Sequence, residues 1–319
     1  MAWPGEWVEL ADDAVPSPSG DLTAFGRLHY VPTDHRGLRK RMGAISSWIS
    51  AVAPRVLVAD VSVEVALLAR LHGVPVVSMG MPGHRGDAAH RLGYDVSDLV
   101  VGPWPAEATP FLHPGGARER LVEVGAISRY APQQQRAEVV ARSVLVLNGT
   151  GGSQAGALTP GTLTAGVVAA AEAVSPGWSW SYLAGATHWV DDPWPQLCAA
   201  EVVVSHCGQN AVAEIAAARR PAVLVPGDRP FGEQHATAEA LRALGLPAIV
   251  LDRWPAADRW PDLLERAAEL DGADWARWND GRGAGRAADL LLDLSGTRSG
   301  DPSCGRLGVG AQQPGEQTA

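Results

Sequence analysis

Cysteine is nearly absent from this 319-residue chain: Cys198, Cys207 and Cys304 are all it has. None stands at metal-ligand spacing from another Cys or a His, so neither a zinc site nor a disulfide scaffold is expected. So few thiols fit a reducing compartment. Charge is sparse as well, at 19% of residues, and acid outweighs base by 35 to 26 for a net charge of −9. A nucleic-acid partner is therefore not expected, because phosphate binding wants a basic surface. The one basic run, His35-Arg-Gly-Leu-Arg-Lys-Arg41, reads as the solvated start of a helix. No apolar stretch reaches the roughly 20 residues that cross a bilayer. Peripheral membrane contact stays open. Met1-Ala-Trp-Pro-Gly-Glu6 has no basic region followed by an apolar one, so no export signal is expected and the location is read as cytoplasmic.

What is abundant is apolar residues, 46% of the chain, enough to fill the cores of two ordinary domains. They come in short runs separated by amphipathic stretches. Arg55-Val-Leu-Val-Ala-Asp60 has the β-branched continuity of a strand buried on both faces. Ser62 can cap a following helix that Gly73 ends, and Val74-Pro-Val-Val-Ser78 is the next strand. That is a βαβ unit, which builds parallel sheets. The pattern pauses over about 103–142 and restarts with a strand at Ser143–Leu147 and a tight polar loop, Asn148-Gly-Thr-Gly-Gly-Ser153. A helix is expected from Thr159-Pro160 to about Val174, strands at 179–183, 201–205, 222–225 and 248–251, and helices near 209–219 and 233–244. The predicted class is α/β with two doubly wound parallel-sheet domains. Their expected bounds are 1–130 and 137–295, with a linker near 129–137 and a disordered Gly/Ser/Pro/Gln-rich tail over 296–319.

One stretch carries chemistry: Val202-Val-Val-Ser-His206-Cys-Gly-Gln-Asn210-Ala-Val-Ala-Glu214. A buried strand ends, Gly208 turns the chain, and a helix begins near Gln209 or Asn210. The first N–H groups of a helix are unpaired and partly positive, a ready site for a diphosphate. His206 and Asn210 add donors at the same mouth, although Asn210 also suits a plain helix cap. Glu214 lies one turn further on the same face, where a carboxylate can accept from two adjacent hydroxyls. The next strand ends in Pro226-Gly-Asp-Arg-Pro-Phe-Gly-Glu233-Gln234, a loop at the sheet edge where open α/β sheets bind ligands.

His206-Cys-Gly-Gln-Asn210, Glu214, Pro221, Pro226 and Glu233-Gln234 resemble the donor-binding signature of the UDP-sugar glycosyltransferases, with Gln209 where that superfamily has Trp. Gly149-Thr-Gly-Gly-Ser-Gln154 resembles the second glycine loop of the MurG-like enzymes, of glycosyltransferase family 28. The likeness sits almost wholly in residues 143–250. It implies a GT-B fold, two facing Rossmann-like domains with the site in the cleft, and transfer of a hexosyl group from an NDP-sugar, UDP-linked by preference, to a hydroxyl acceptor. By the same likeness His206 and Asn210 contact the diphosphate and Glu214 the ribose, with Gly208 also counted in the donor site. Glu233 and Gln234 contact the sugar, and Gly151, Gly152 and Ser153 approach the phosphates or the acceptor. Trp189-Val190 stands where the family presents a base-binding loop, and Trp189 either stacks on the base or is an ordinary half-buried Trp. The MurG-like enzymes open with a strand and a Gly/His-rich loop that has no counterpart ahead of Trp3, so the N-terminal sheet is expected to lack its first strand or strands.

A general base would come from the N-terminal side, where Asp60, His84, Asp87 and His90 are candidates and His84 and Asp87 are preferred. Asp191-Asp192 makes no convincing metal pair, so no cofactor is expected and metal-free chemistry is favoured. Two other functions remain: a sugar-nucleotide 2-epimerase, and a non-catalytic nucleotide-sugar-binding protein. A nicotinamide dehydrogenase is not expected, because no G-x-G-x-x-G lies between a strand and a helix.

Overall fold

The computed structural model describes residues 5–14, 20–132, 138–148, 165–184 and 190–296. The Gly149–Ser153 loop with Gly151, Gly152 and Ser153, the start of the helix expected at Thr159, Trp189 and residues 297–319 lie outside these.

The first half begins with α1 (Arg36–Val52), capped by His35, whose Nδ1 accepts from the Leu38 N–H. The basic run is thus the opening of a helix. Four parallel strands follow: β1 (Leu57–Ala59), β2 (Val76–Met79), β3 (Leu99–Gly102) and β4 (Leu121–Glu123), side by side in chain order. Between them run α2 (Val63–Leu71), α3 (Ala88–Val96) and the one-turn α4 (Thr109–Leu112). Ser62 caps α2 by accepting from the Val65 N–H, the role its position suggested, and Asp87 caps α3.

The second sheet has the order β6-β5-β7-β8-β9, all parallel. Its strands are β5 (Ser143–Asn148), β6 (Ser179–Ala184), β7 (Val202–Ser205), β8 (Ala222–Leu224) and β9 (Ala248–Val250). Val144 to Leu147, Val202 to Ser205 and Ala222 to Leu224 are buried, as runs without a polar alternation must be when helices cover both faces. Each fully buried Val or Leu contributes about 1.5–3 kcal/mol. The covering helices include α5 (Ala165–Ala173), α6 (Trp194–Ala199), α7 (Gln209–Ala218), α8 (Glu233–Ala243) and α9 (Trp260–Ala268). Strand β5 has β6 on one side and β7 on the other, so the order reverses there. A crevice opens at such a point, outside the C-terminal strand ends.

The last helix, α10 (Gly283–Leu294), returns to the first sheet, although it belongs to the stretch assigned by sequence to the second domain. Ala287, Leu290, Leu291 and Leu294 pack on Val77, Val101 and Val124. Gly283 permits the crossing: a Cβ there would lie 2.3 Å from the Ala126 carbonyl oxygen. Arg286 donates to the Val124 carbonyl at 2.9 Å. The two halves are therefore tied by α10 packing on the first sheet. No helix among the described residues is long and apolar enough to cross a membrane.

Candidate active site between the two sheets

Both sheets turn their C-terminal edges toward one cleft of about 750 Å³. The first half contributes Asp60 from the end of β1, Gly80 to Pro82 after β2, and Pro103 after β3. The second contributes Leu147, Asn148, Val190, Ser205 to Ala211, Glu214, Arg229, Glu233, Gln234 and Thr237. The binding residues picked from sequence in the described part, His206, Gly208, Asn210, Glu214, Glu233, Gln234 and Val190, all line it.

The floor is laced across three strands. The Ser205 hydroxyl donates to the Leu147 carbonyl at 2.6 Å, the Val225 N–H to the Ser205 carbonyl at 3.0 Å, and His206 Nδ1–H to the Val225 carbonyl at 2.8 Å. This last bond fixes the tautomer. A neutral His206 keeps its proton on Nδ1 and presents a lone pair at Nε2. Burial pushes the His206 pKa down, the bond to Val225 works against this, and nearby Arg229 adds to the depression. His206 can therefore donate to a phosphate only after taking up a proton, a condition the sequence reading did not contain.

Helix α7 begins on Gly208, in extended backbone, with no side-chain cap. Asn210 is exposed inside the helix, so it is not the cap that its residue type allowed. The first N–H groups of α7 are left facing the cleft with no side chain competing for them. Helix α8 also starts without a side-chain cap, on Gly232. Gln209 lines the cleft, and its Oε1 is buried without a hydrogen-bond partner among the described residues. Cys207 is also at the wall, but burial pushes its thiol up to about 12, which removes it as a nucleophile.

Glu214, 13% exposed, accepts from Arg129 Nε at 2.9 Å. Burial raises its pKa, and Arg129 opposes the rise. Arg129 belongs to the linker and was missed; a lone Arg in a loop gives no sequence signal. Gln234 is buried, and its Oε1 accepts from the Gly227 N–H at 2.8 Å, which folds the 226–233 loop back onto α8. Glu233 is held by two arginines, Arg85 at 3.1 Å and Arg229 at 3.5 Å.

The preferred bases do not reach the cleft. His84 is exposed, with its ring stacked on His113 at 4.8 Å, and Asp87 is consumed in capping α3 and in a 2.5 Å bond from His90 Nδ1–H. Neither is among the cleft residues, and neither is His90; Asp60 is. Beside Asp60, Val61 has φ +74°, a left-handed conformation that costs a β-branched residue of order 1–3 kcal/mol.

His29, Asp87 and His90 bring potential ligand atoms within 4.8 Å of one another. Arg85 Nη1 donates to His90 Nε2 at 3.1 Å, so the ring proton sits on Nδ1, the atom a metal would need. A buried guanidinium at that distance also repels a cation. Asp192 is likewise occupied, accepting from the Tyr130 hydroxyl and the Trp194 N–H.

Two parallel sheets with their C-terminal edges on a shared cleft define a GT-B fold. Solved structures bear this out. The glycotransferase of kitacinnamycin is similar at TM-score 0.58 and 17% identity, over 81% of this chain and 80% of that one. MurG of Acinetobacter baumannii is similar at TM-score 0.53 and 17% identity, over 80% and 78%. A putative UDP-N-acetylglucosamine 2-epimerase from Listeria monocytogenes is similar at TM-score 0.53 and 12% identity, over 79% and 77%. Residues 185–254 match the family model of the glycosyltransferase family 28 C-terminal domain, and that segment contains α7, Glu214 and the Glu233-Gln234 pair. Residues 185–254 thus resemble a family 28 C-terminal domain within a GT-B frame, and that match supports glycosyl transfer as the class of activity. No curated protein matches the sequence.

Proposed function

We propose that this protein transfers a hexosyl group from an NDP-sugar, UDP-linked by preference, to a hydroxyl acceptor. The observation that carries the reading is the uncapped start of α7, aimed into the inter-sheet cleft beside His206. A leaving diphosphate gains negative charge as its glycosyl bond breaks, and fixed N–H dipoles in a half-enclosed site stabilise that charge without reorganising. Arg229, at the same wall and paired with Glu233 at 3.5 Å, adds a guanidinium to it. Glu214 takes the ribose hydroxyls, and Glu233 with the amide of Gln234 takes the sugar.

The acceptor enters from the first sheet. Asp60 lines the cleft where His84 and Asp87 do not, which supports it as the group that accepts the proton as the oxygen attacks the anomeric carbon. The strain at Val61 fits a backbone shaped for that task. Such an arrangement places the leaving-group charge on the protein's own donors and requires no metal. Calorimetric titration with UDP tests the reading: micromolar binding is expected, and a folded protein that takes up no nucleoside diphosphate overturns it. The likeness to the epimerase fold sets the second experiment. UDP-N-acetylglucosamine alone should stay unchanged, and conversion to its 2-epimer would favour the other reaction.

A further inference from the structure

The loop that carries Glu233 is shaped by the other half of the molecule. Phe231 and Gly232 are successive left-handed residues, φ +61° and +65°, immediately before α8. Three neighbours from the first half meet this turn. Gly83, itself at φ +99°, lies so close that an added Cβ would be 2.4 Å from the Phe231 carbonyl oxygen and 3.0 Å from the Glu233 nitrogen. The His84 N–H donates to that same carbonyl at 2.8 Å. The Arg85 guanidinium sits 4.4 Å from the centre of the Phe231 ring.

Arg85 is only 4% exposed, and each of its nitrogens has a partner. Nε donates to the Pro82 carbonyl at 3.1 Å, Nη1 to His90 Nε2 at 3.1 Å, and Nη2 to Glu233 Oε2 at 3.1 Å. Asp87 fixes the His90 ring in turn. The relay Asp87–His90–Arg85 thus holds the guanidinium plane at one angle, with a single edge left for Glu233. A planar fork held on its other two sides is well suited to orienting a carboxylate.

We propose that Gly83, His84 and Arg85 are the positioning element for Glu233, so that the sugar end of the donor is read only when the two halves are docked. The inference rests on the donor reading above. It gives His84 and Asp87 a role unlike the catalytic one suggested by sequence: His84 acts through its backbone, and Asp87 through His90 and Arg85. Nucleotide and sugar recognition become separable. His206, Asn210 and Glu214 belong to the second half or the linker contact, whereas Glu233 depends on the first.

The test uses the full chain and compares calorimetric affinity for UDP with that for UDP-glucose and UDP-N-acetylglucosamine. In the unsubstituted protein at least one sugar nucleotide should bind more tightly than UDP. In Arg85→Met, UDP affinity should stay within about threefold while the sugar-dependent gain falls by about tenfold or more. Arg85→Lys, which keeps the buried charge and guards against a fold that tolerates no neutral residue there, should restore part of the gain. Gly83→Ala should reproduce the selective loss. An unchanged gain in both Arg85→Met and Gly83→Ala overturns the proposal, and so does an equal loss for UDP and sugar nucleotide, which marks a merely structural contact. If the unsubstituted protein binds UDP with no gain from either sugar, Glu233 has no donor-sugar role and the proposal fails while the nucleotide site stands. Absence of any UDP binding removes the donor reading itself.

Discussion

Glu214 offers a test in which function and stability should move in opposite directions. Its carboxylate is 13% exposed, and its partner Arg129 is 50% exposed, so that ion pair is well screened on one side. Burial raises the carboxyl pKa above its ordinary 4.5. The folded protein therefore binds more protons at this position than the unfolded chain does. Stability from this group falls as pH rises from 4.5 through the raised folded value, and the penalty is fully present above it. At neutral pH Glu214→Gln should thus leave the melting temperature unchanged or raise it. Arg129, left without its partner, stays solvated at little cost. Binding should behave otherwise. Losing one charge-assisted hydrogen bond to a ribose hydroxyl costs about 1.5–3 kcal/mol, or about 10- to 150-fold in affinity. UDP should weaken by that factor in Glu214→Ala and by less in Glu214→Gln. Removing the 2′-hydroxyl from the ligand should weaken binding to the unsubstituted protein but add little further loss in Glu214→Ala. The reasoning is refuted if UDP binds Glu214→Ala as tightly as before, or if the variant's affinity falls only together with a collapse of its melting temperature.

Acidification should strengthen UDP binding, because His206 has its Nδ1–H committed to Val225 and gains a donor at Nε2 only when protonated. Titrations in buffers of different ionisation enthalpy should report proton uptake on binding, and none being seen removes His206 from the phosphate contacts. The ligand-free protein should show the reverse trend in stability. His206 and His90 both have pKa values lowered by burial, so the unfolded chain takes up protons before the fold does, and melting temperature should drop as pH falls below 6.5. Asp60→Asn should lower turnover by about 10²- to 10⁴-fold with UDP affinity unaltered, read by acceptor-dependent UDP release; full activity excludes Asp60 as the base. Gln209→Met removes a buried acceptor that has no partner among the described residues. It should raise ligand-free stability by about 1 kcal/mol, checked by denaturant titration, and a loss instead would mean that Oε1 is satisfied in solution.

The sequence alone picked out β1, β2 and the five strands of the second sheet, because buried parallel strands announce themselves as short Val-rich runs, but it did not find β3 or β4, short strands of which β4 lies in the stretch where the pattern pauses. It also brought out the residues proposed for the donor side, since His206, Asn210 and Glu214 lie within a single strand-turn-helix whose geometry is local. The resemblance over 143–250 agreed with that reading. Side-chain neighbours distant in the chain were not legible. Arg85 and Glu233 are 148 positions apart, Arg129 and Glu214 are 85 apart, and α10 reaches the Val124 carbonyl across 162. Which N-terminal residue faces the cleft depends on how the halves dock, and docking brought in Asp60 while the His84 backbone met the Phe231 turn and Asp87 stayed engaged with His90 on α3. The tautomer of His206 likewise followed only once β8 lay beside β7. Local periodicity encodes elements; the contacts that aim their side chains arise between surfaces that meet only after each sheet has formed.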